Sequence, residues 1–323
     1  MGKNVLVTGG AGYIGSHLCK ALALEGYTPI TYDSLETGNL SSILFGPFVQ
    51  GNVLDLPLLL STLKTFQPIA VFHLASYTNA RAPIEESQNY YRNNLIGTAT
   101  LLEALKISPC PYLLFSSSAS IYGNNSNDSL KIKENSPLEG TSPYARTKLS
   151  SEKLIADFCK QNKTYYANLR YFNVAGADLD NEIGELHTPE THLIPLLIQV
   201  LQGKKKEFFL FANQHNTHDG TAKRDFIHVA DLAQGHIEAL HFLEKNKTSI
   251  TLNLGSETGH TILDIITKLQ EKTAKKIQII KAHQIEEPAS LIADTTLAKN
   301  LINWNPRNSS LDTILDTALR WHS

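Results

Sequence analysis

The stretch NVLVTGGAGYIGSHL, residues 4–18, leaves this chain little choice of fold. A run of strand-forming residues meets a glycine cluster, and a helix-patterned segment follows at once. Gly9, Gly12 and Gly15 satisfy T-G-x-x-G-x-x-G, and Gly10, Gly12 and Gly15 satisfy G-x-G-x-x-G. Glycines at these points permit a tight strand-to-helix turn. They also let backbone approach a pyrophosphate, whose charge rests on the helix N-terminus. The motif gains weight from an acidic residue at the end of the second strand-like run. That residue is Asp33, closing YTPITYD at 27–33. Its carboxylate can accept hydrogen bonds from adenosine ribose hydroxyls and would repel the extra phosphate of NADP. No arginine lies near it in sequence to reverse that preference, so the expected cofactor is NAD.

Apolar runs recur through the first half of the chain at 4–9, 27–33, 47–53, 69–75, 112–118 and 166–172. Helix-length segments separate them, which indicates a parallel sheet covered by helices on both faces. Residues 87–107 and 142–161 carry apolar side chains at three- and four-residue intervals. The second of these opens with Ser142 as N-cap and Pro143 at the first helical position. The expected class is α/β, a Rossmann-type doubly wound parallel sheet. Past residue 175 the rhythm loosens, and 175–192 and 212–225 read as ordered loops longer than ordinary connections. We expect an NAD-binding domain over 1–175, with 225–255 returning to it. A smaller, partly interleaved C-terminal substrate-binding lobe then takes 176–224 and 256–323.

Among 323 residues the formal net charge is −2, which gives no bulk attraction for nucleic acid. The basic run GKKK at 203–206 reads as a helix end in solvent. The three cysteines, Cys19, Cys110 and Cys159, lie far apart and fit reduced thiols in a cytoplasmic protein. No charged-then-apolar leader opens the chain, and the apolar helical run at 193–201 is too short to span a membrane. His215 and His218 have no further ligand residues beside them in sequence, so they are read as loop residues and no metal is expected.

SPYARTKL at 142–149 places Tyr144 and Lys148 four apart, and FSSSASIYG at 115–123 places a serine run before them. Helix positions four apart share a face, with Cβ atoms roughly 5–6 Å from each other. Lys148 is therefore expected to favour the Tyr144 phenolate, lowering a pKa that starts near about 10. A cationic nicotinamide would act in the same direction. Tyr144 then becomes a general base. A lone Y-x-x-x-K more often means a buried ring and a solvated ammonium. Its place on the helix after a serine-rich strand of a dinucleotide fold reverses those odds.

With VTGGAGYIGSH, YYRNNLIGT, FSSSASIYG, SPYARTKL, LRYFNVAGA, ETHLIPL, DGTAKRDFIHVADLA and NLGS, the sequence resembles the extended short-chain dehydrogenase/reductase family. Within that family it is similar to the UDP-hexose 4-epimerases over nearly its whole length. The resemblance implies a catalytic set of Ser118, Tyr144 and Lys148, with Tyr144 and Lys148 also touching the cofactor. It places Gly9, Gly12, Tyr13, Ile14, Gly15, Asp33, Asn52, Val53, Leu74, Ala75, Asn93 and Tyr171 along the dinucleotide. Substrate contacts are implied for Ser118, Tyr144, Asn173, His192, Leu193, Arg224 and Gln284. The implied activity is NAD-dependent 4-epimerisation of a nucleotide sugar, UDP-glucose and UDP-galactose first, through a transient 4-keto intermediate. A homodimer formed through a helix pair is implied as well. Dehydratases of this family carry an Asp-Glu pair just after the catalytic hydroxyl, to protonate a leaving group. Ala119 and Ser120 stand there instead, so elimination lacks its acid and reversible oxidation remains.

The likeness departs from its pattern in two places. Asn52 replaces the usual aspartate at the adenine, although an amide can still accept that bond. Gln284 replaces an arginine, and Glu286-Glu287 replace Gly-Asp. The two glutamates are expected to repel the diphosphate rather than to hold Arg224. Two other readings stay open at this level. One is epimerisation of a different nucleotide sugar, such as a UDP-N-acetylhexosamine, UDP-pentose or UDP-uronate. The other is a non-catalytic NAD-sensing protein on the same fold.

Overall fold

The computed structural model describes residues 3–79, 83–124, 131–211, 215–282 and 287–323. The glycine turn joins β1 (Lys3–Thr8) to α1 (Tyr13–Leu24), and the chain continues through β2 (Tyr27–Asp33), β3 (Phe48–Gln50), α2 (Leu56–Phe66) and β4 (Ala70–His73). Next come α3 (Ser87–Tyr90), a π-helical stretch at Tyr91–Ile96, α4 (Gly97–Ile107), β5 (Tyr112–Ser118), α5 (Pro143–Asn162) and β6 (Tyr165–Tyr171). The remainder runs β7 (Asn173–Ala175), α6 (Leu193–Leu201), β8 (Phe208–Phe211), β9 (Lys223–His228), α7 (Val229–Asn246) and β10 (Ile250–Leu254). It ends with β11 (Gly259–Thr261), α8 (Ile262–Thr273), β12 (Ile279–Ala282), β13 (Ser290–Leu291), α9 (Thr296–Ile302) and α10 (Leu311–Trp321).

Seven of these strands form one sheet in the order β10-β6-β5-β4-β1-β2-β3, and every pairing is parallel. Its strands are apolar toward both faces because helices cover both. Leu18 and Leu22 of α1, Leu232 and Leu240 of α7 and Ile302 of α9 pack with Val5, Val7 and Leu114 on one side. Leu59 and Leu63 of α2, Leu101 and Leu105 of α4 and Ile155 of α5 pack with Leu6, Val71 and Leu113 on the other. Burying each such side chain contributes about 1.5–3 kcal/mol relative to exposure. The strand order reverses between β1 and β4, and such a reversal opens a crevice at the strands' carboxyl ends.

A second, smaller sheet centres on β9, which pairs with β7 and β13 in parallel and with β11 antiparallel. Beside it β8 and β12 pair in parallel, and α6, α8 and α10 bury Leu197, Ile265 and Ile314 in one cluster. Strand β10, from late in the chain, adds to the edge of the main sheet against β6.

Two segments differ from their sequence reading. Residues 47–53 form a strand only over Phe48–Gln50, at the edge of the sheet. Residues 223–225, read as loop, begin β9, where pairing with β11 and β13 overrides a polar composition.

Candidate active site

The glycine turn is built by close approach. Gly9 has φ +74 and donates its N–H to the Tyr32 carbonyl at 2.9 Å. A Cβ there would lie 2.6 Å from the Ala75 nitrogen, so the turn rests directly on the Leu74–Ala75 backbone. A Cβ on Gly15 would lie 2.1 Å from the Gly9 carbonyl oxygen, which is why α1 can start so close beneath the turn. Gly12, the N-cap of α1, supplies no side-chain cap. The first-turn N–H groups of a helix so placed suit an anion. Tyr13 donates its phenol to the Gly176 carbonyl at 2.6 Å, and Ile14 packs on the core behind.

Asp33 is buried at the end of β2, where one carboxylate oxygen accepts from Ala11 N at 3.0 Å and the other from Leu35 N at 2.9 Å. Burial raises its pKa, and those two amide bonds oppose the rise. Asn52 accepts from Leu54 N at 2.9 Å and donates to Glu36 at 3.1 Å, while Val53 is buried against Gly97. A glycine cradle, an uncapped helix start and an aspartate at the second strand's end fit NAD.

Across the crevice, Ser142 accepts from Ala145 N at 3.2 Å and Pro143 occupies the first turn, so α5 starts sharply. This start brings Tyr144 near enough to Ser118, the last residue of β5, for the serine to act on its phenol. Ser118 Oγ also accepts from Ser120 N at 3.2 Å and Ser120 Oγ at 3.0 Å. Lys148 lies one turn along, its Nζ donating to the Ser116 carbonyl at 2.6 Å and standing 5.7 Å from the Tyr144 ring centroid. The structure thus gathers Ser118, Tyr144 and Lys148 at one place.

The expected electrostatics need correction. Burial pushes the Tyr144 phenol up to about 12, with Ser118 opposing the rise, and Lys148 is not among the groups that lower it. Burial also brings Lys148 down to about 7, partly offset by Glu152. Helix spacing does put the two on one face, but the ammonium is engaged by the Ser116 carbonyl. Desolvation then penalises the charged form of each group.

The trio stands on a buried polar frame. Arg170 of β6 grips Glu152 of α5 through Nε–Oε1 at 2.9 Å and Nη2–Oε2 at 2.8 Å, and Ser117 Oγ donates to Glu152 Oε1 at 2.5 Å. Tyr171 directs its phenol to His236 of α7. Asn93 donates to Asn94 at 3.1 Å, and Asn94 itself joins Tyr77 N at 2.8 Å to Thr147 Oγ1 at 3.1 Å. The π-helical turn within the expected 87–107 helix carries both asparagines. Such turns recur at functional sites.

On the substrate side, Asn173 is exposed at the start of β7 and Leu193 opens α6. His192, expected to face the nucleotide, turns its Nδ1 to Glu185 instead. Arg224 forms no pair with its neighbour Asp225. Its Nη2 meets Glu287 at 2.8 Å, and its Nη1 donates to the Lys223 and Pro288 carbonyls, each at 2.9 Å. Glu287 therefore holds Arg224, which reverses the expected repulsion: a half-buried guanidinium keeps a buried carboxylate partner. Gln284 and Glu286 lie outside the described residues.

Reading the sequence missed Ser120, Asn94 and the Glu152–Arg170 pair. Ser120 lay within the quoted serine-rich run, but its bond to Ser118 arises only as the chain bends after β5. Asn94 gave no signal beyond its neighbour. Glu152 and Arg170 sit eighteen residues apart on different elements, where no spacing rule reaches.

The profile of the NAD dependent epimerase/dehydratase family matches residues 5–255. The UDP-glucose 4-epimerase of Rhizobium leguminosarum bv. trifolii is 36% identical over 329 residues, covering 100% of this chain and 98% of that one. A UDP-glucose 4-epimerase from Brucella ovis in complex with NAD superposes with a TM-score of 0.95 at 39% identity, covering 98% of each chain. The UDP-glucose-4-epimerase of Stenotrophomonas maltophila, with bound NAD and formylated UDP-arabinopyranose, superposes at 0.93 with 34% identity, covering 99% of this chain and 97% of that one.

Proposed function

The chain belongs to the NAD dependent epimerase/dehydratase family, and we propose that it interconverts UDP-glucose and UDP-galactose in the cytoplasm. It is an NAD-dependent epimerase. One observation carries the choice of chemistry. Ser118 closes β5 and Tyr144 stands in the first turn of α5, and the partners found for the Ser118 hydroxyl among the described residues are the Ser120 hydroxyl and amide, with no carboxylate.

In this reading Tyr144 takes the proton of the sugar 4-hydroxyl and later returns it, while Ser118, fixed by Ser120, hydrogen-bonds the same oxygen. NAD, when bound, supplies a hydride acceptor, then a hydride donor, and in its oxidised form a positive charge. That charge acts on Tyr144 in the direction opposite to burial. Lys148 supplies a second cation whenever it holds its proton. Arg224, oriented by Glu287 and two carbonyls, presents a fork suited to a diphosphate. With each turnover the cofactor returns to its starting state, so no external redox partner is required.

The test is incubation with a panel of nucleotide sugars and identification of products by NMR. UDP-glucose and UDP-galactose should each convert to the other. Conversion confined to a UDP-N-acetylhexosamine, UDP-pentose or UDP-uronate would reassign the substrate, and no conversion of any sugar would remove the catalytic reading.

We further expect a homodimer. Helices α4 and α5 pack together on one face of the main sheet, and Ile96 and Ile107, at the two ends of α4, are about half exposed. Light scattering at micromolar concentration should give twice the 35.7 kDa chain mass. A monomer mass would refute the expectation.

A further inference from the structure

We propose that Glu185, His187, Glu190 and His192 form a four-ligand Zn²⁺ site that pins the 176–192 loop to the body of the enzyme. These residues lie in one stretch of the pattern E-x-H-x-x-E-x-H, distinct from His215 and His218. One ligand-type atom from each of its four residues lies within 4.8 Å of all the others. His187 Nδ1 stands 3.0 Å from Glu185 Oε1 and 4.0 Å from Glu190 Oε1, and His192 Nδ1 stands 4.0 Å from Glu190 Oε1. His192 Nδ1 also contacts Glu185 Oε1. Zinc bonds of about 2.0–2.1 Å in tetrahedral geometry place neighbouring donors roughly 3.3 Å apart. The separations here straddle that value, and the two imidazoles meet edge to face at 77° rather than stacking.

Charge points the same way. The Glu185 and Glu190 side chains are each 4% exposed. A dication neutralises two buried carboxylates and leaves both histidines neutral, as metal ligation requires. Two nitrogen and two oxygen donors suit zinc, and four protein ligands make a closed, structural site rather than a catalytic one.

Two other acidic clusters lack these features. Asp178, Asp180 and Glu182 already surround the Lys20 ammonium at 2.8, 2.9 and 2.8 Å. The trio of His218, Asp219 and Asp264 offers only three donors.

The surroundings tell what zinc would secure. Trp321 of α10 donates to the Glu185 carbonyl at 3.2 Å, and Asn39 donates to the Leu186 carbonyl at 2.9 Å. Asn39 also donates its backbone N–H to the Ala11 carbonyl of the cofactor turn at 3.0 Å. His192 is the N-cap of α6. The site would therefore join the cofactor turn, α6 and α10 through one loop.

Tag-free enzyme should be stripped with a chelator and titrated with Zn²⁺ against a chromophoric competitor. Mass spectrometry for metals would give the stoichiometry. We expect about one Zn²⁺ per chain with Kd below about 1 µM. His187→Ala and Glu190→Gln should each weaken it at least about 10-fold, and Asp180→Asn should leave it unchanged. Failure of the wild-type chain to take up Zn²⁺ at micromolar concentration overturns the proposal, however the variants fold. Equal uptake by folded His187→Ala and Glu190→Gln does so as well.

Discussion

Replacing Tyr144 by phenylalanine should lower epimerase turnover about 10²–10⁴-fold, the usual contribution of a positioned acid–base group. NAD content and the unfolding midpoint should stay near wild type, because the ring remains packed against Tyr77 and Tyr90 and only the hydroxyl is lost. Burial pushes the phenol up to about 12. Turnover needs the deprotonated form, so wild-type kcat should rise as pH rises toward the operative pKa. The Phe variant should lose that rise. A variant with turnover within about threefold of wild type, or with the same pH limb, removes Tyr144 from proton transfer.

Glu152→Ala should destabilise the protein by about 3–5 kcal/mol, the cost of leaving one partner of a buried ion pair uncompensated. The Arg170 and Glu152 side chains are 6% and 7% exposed, so water cannot substitute for the lost carboxylate. Arg170 keeps only Tyr122 Oη at 2.9 Å and the Glu134 carbonyl at 2.8 Å among the partners found for it. Ser117, just before the catalytic serine, loses its acceptor too. Lys148 loses the carboxylate that holds its pKa up, so its proton should leave at still lower pH. Urea unfolding at fixed NAD concentration measures the first effect. The double variant Glu152→Met/Arg170→Met should recover part of the loss, since a packed apolar pair leaves no unpaired charge. A loss below about 1 kcal/mol for Glu152→Ala would mean that the frame is not what fixes α5 to the sheet.

Local rules carried most of the fold. β2 and β5 match their runs residue for residue, and α5 starts at Pro143 behind its Ser142 cap, because cap chemistry and strand periodicity are properties of adjacent residues. Edge strand β3 and the π-helical turn at 91–96 were not legible, since sheet position and a local widening of a helix leave no periodicity in adjacent residues.

The sequence by itself determined the alternation of strands and helices, the glycine turn, and the shared helix face of Tyr144 and Lys148. Each follows from spacing within one strand, turn or helix. Only the tertiary structure decided that Ser118 joins that pair and that burial raises the Tyr144 pKa and lowers that of Lys148, because desolvation depends on everything packed around a group. Arg224's pairing with Glu287, sixty-three residues away, and the turning of His192 toward Glu185 were likewise settled only in three dimensions. Loop residues take whichever partners folding brings near, and no periodicity encodes that choice.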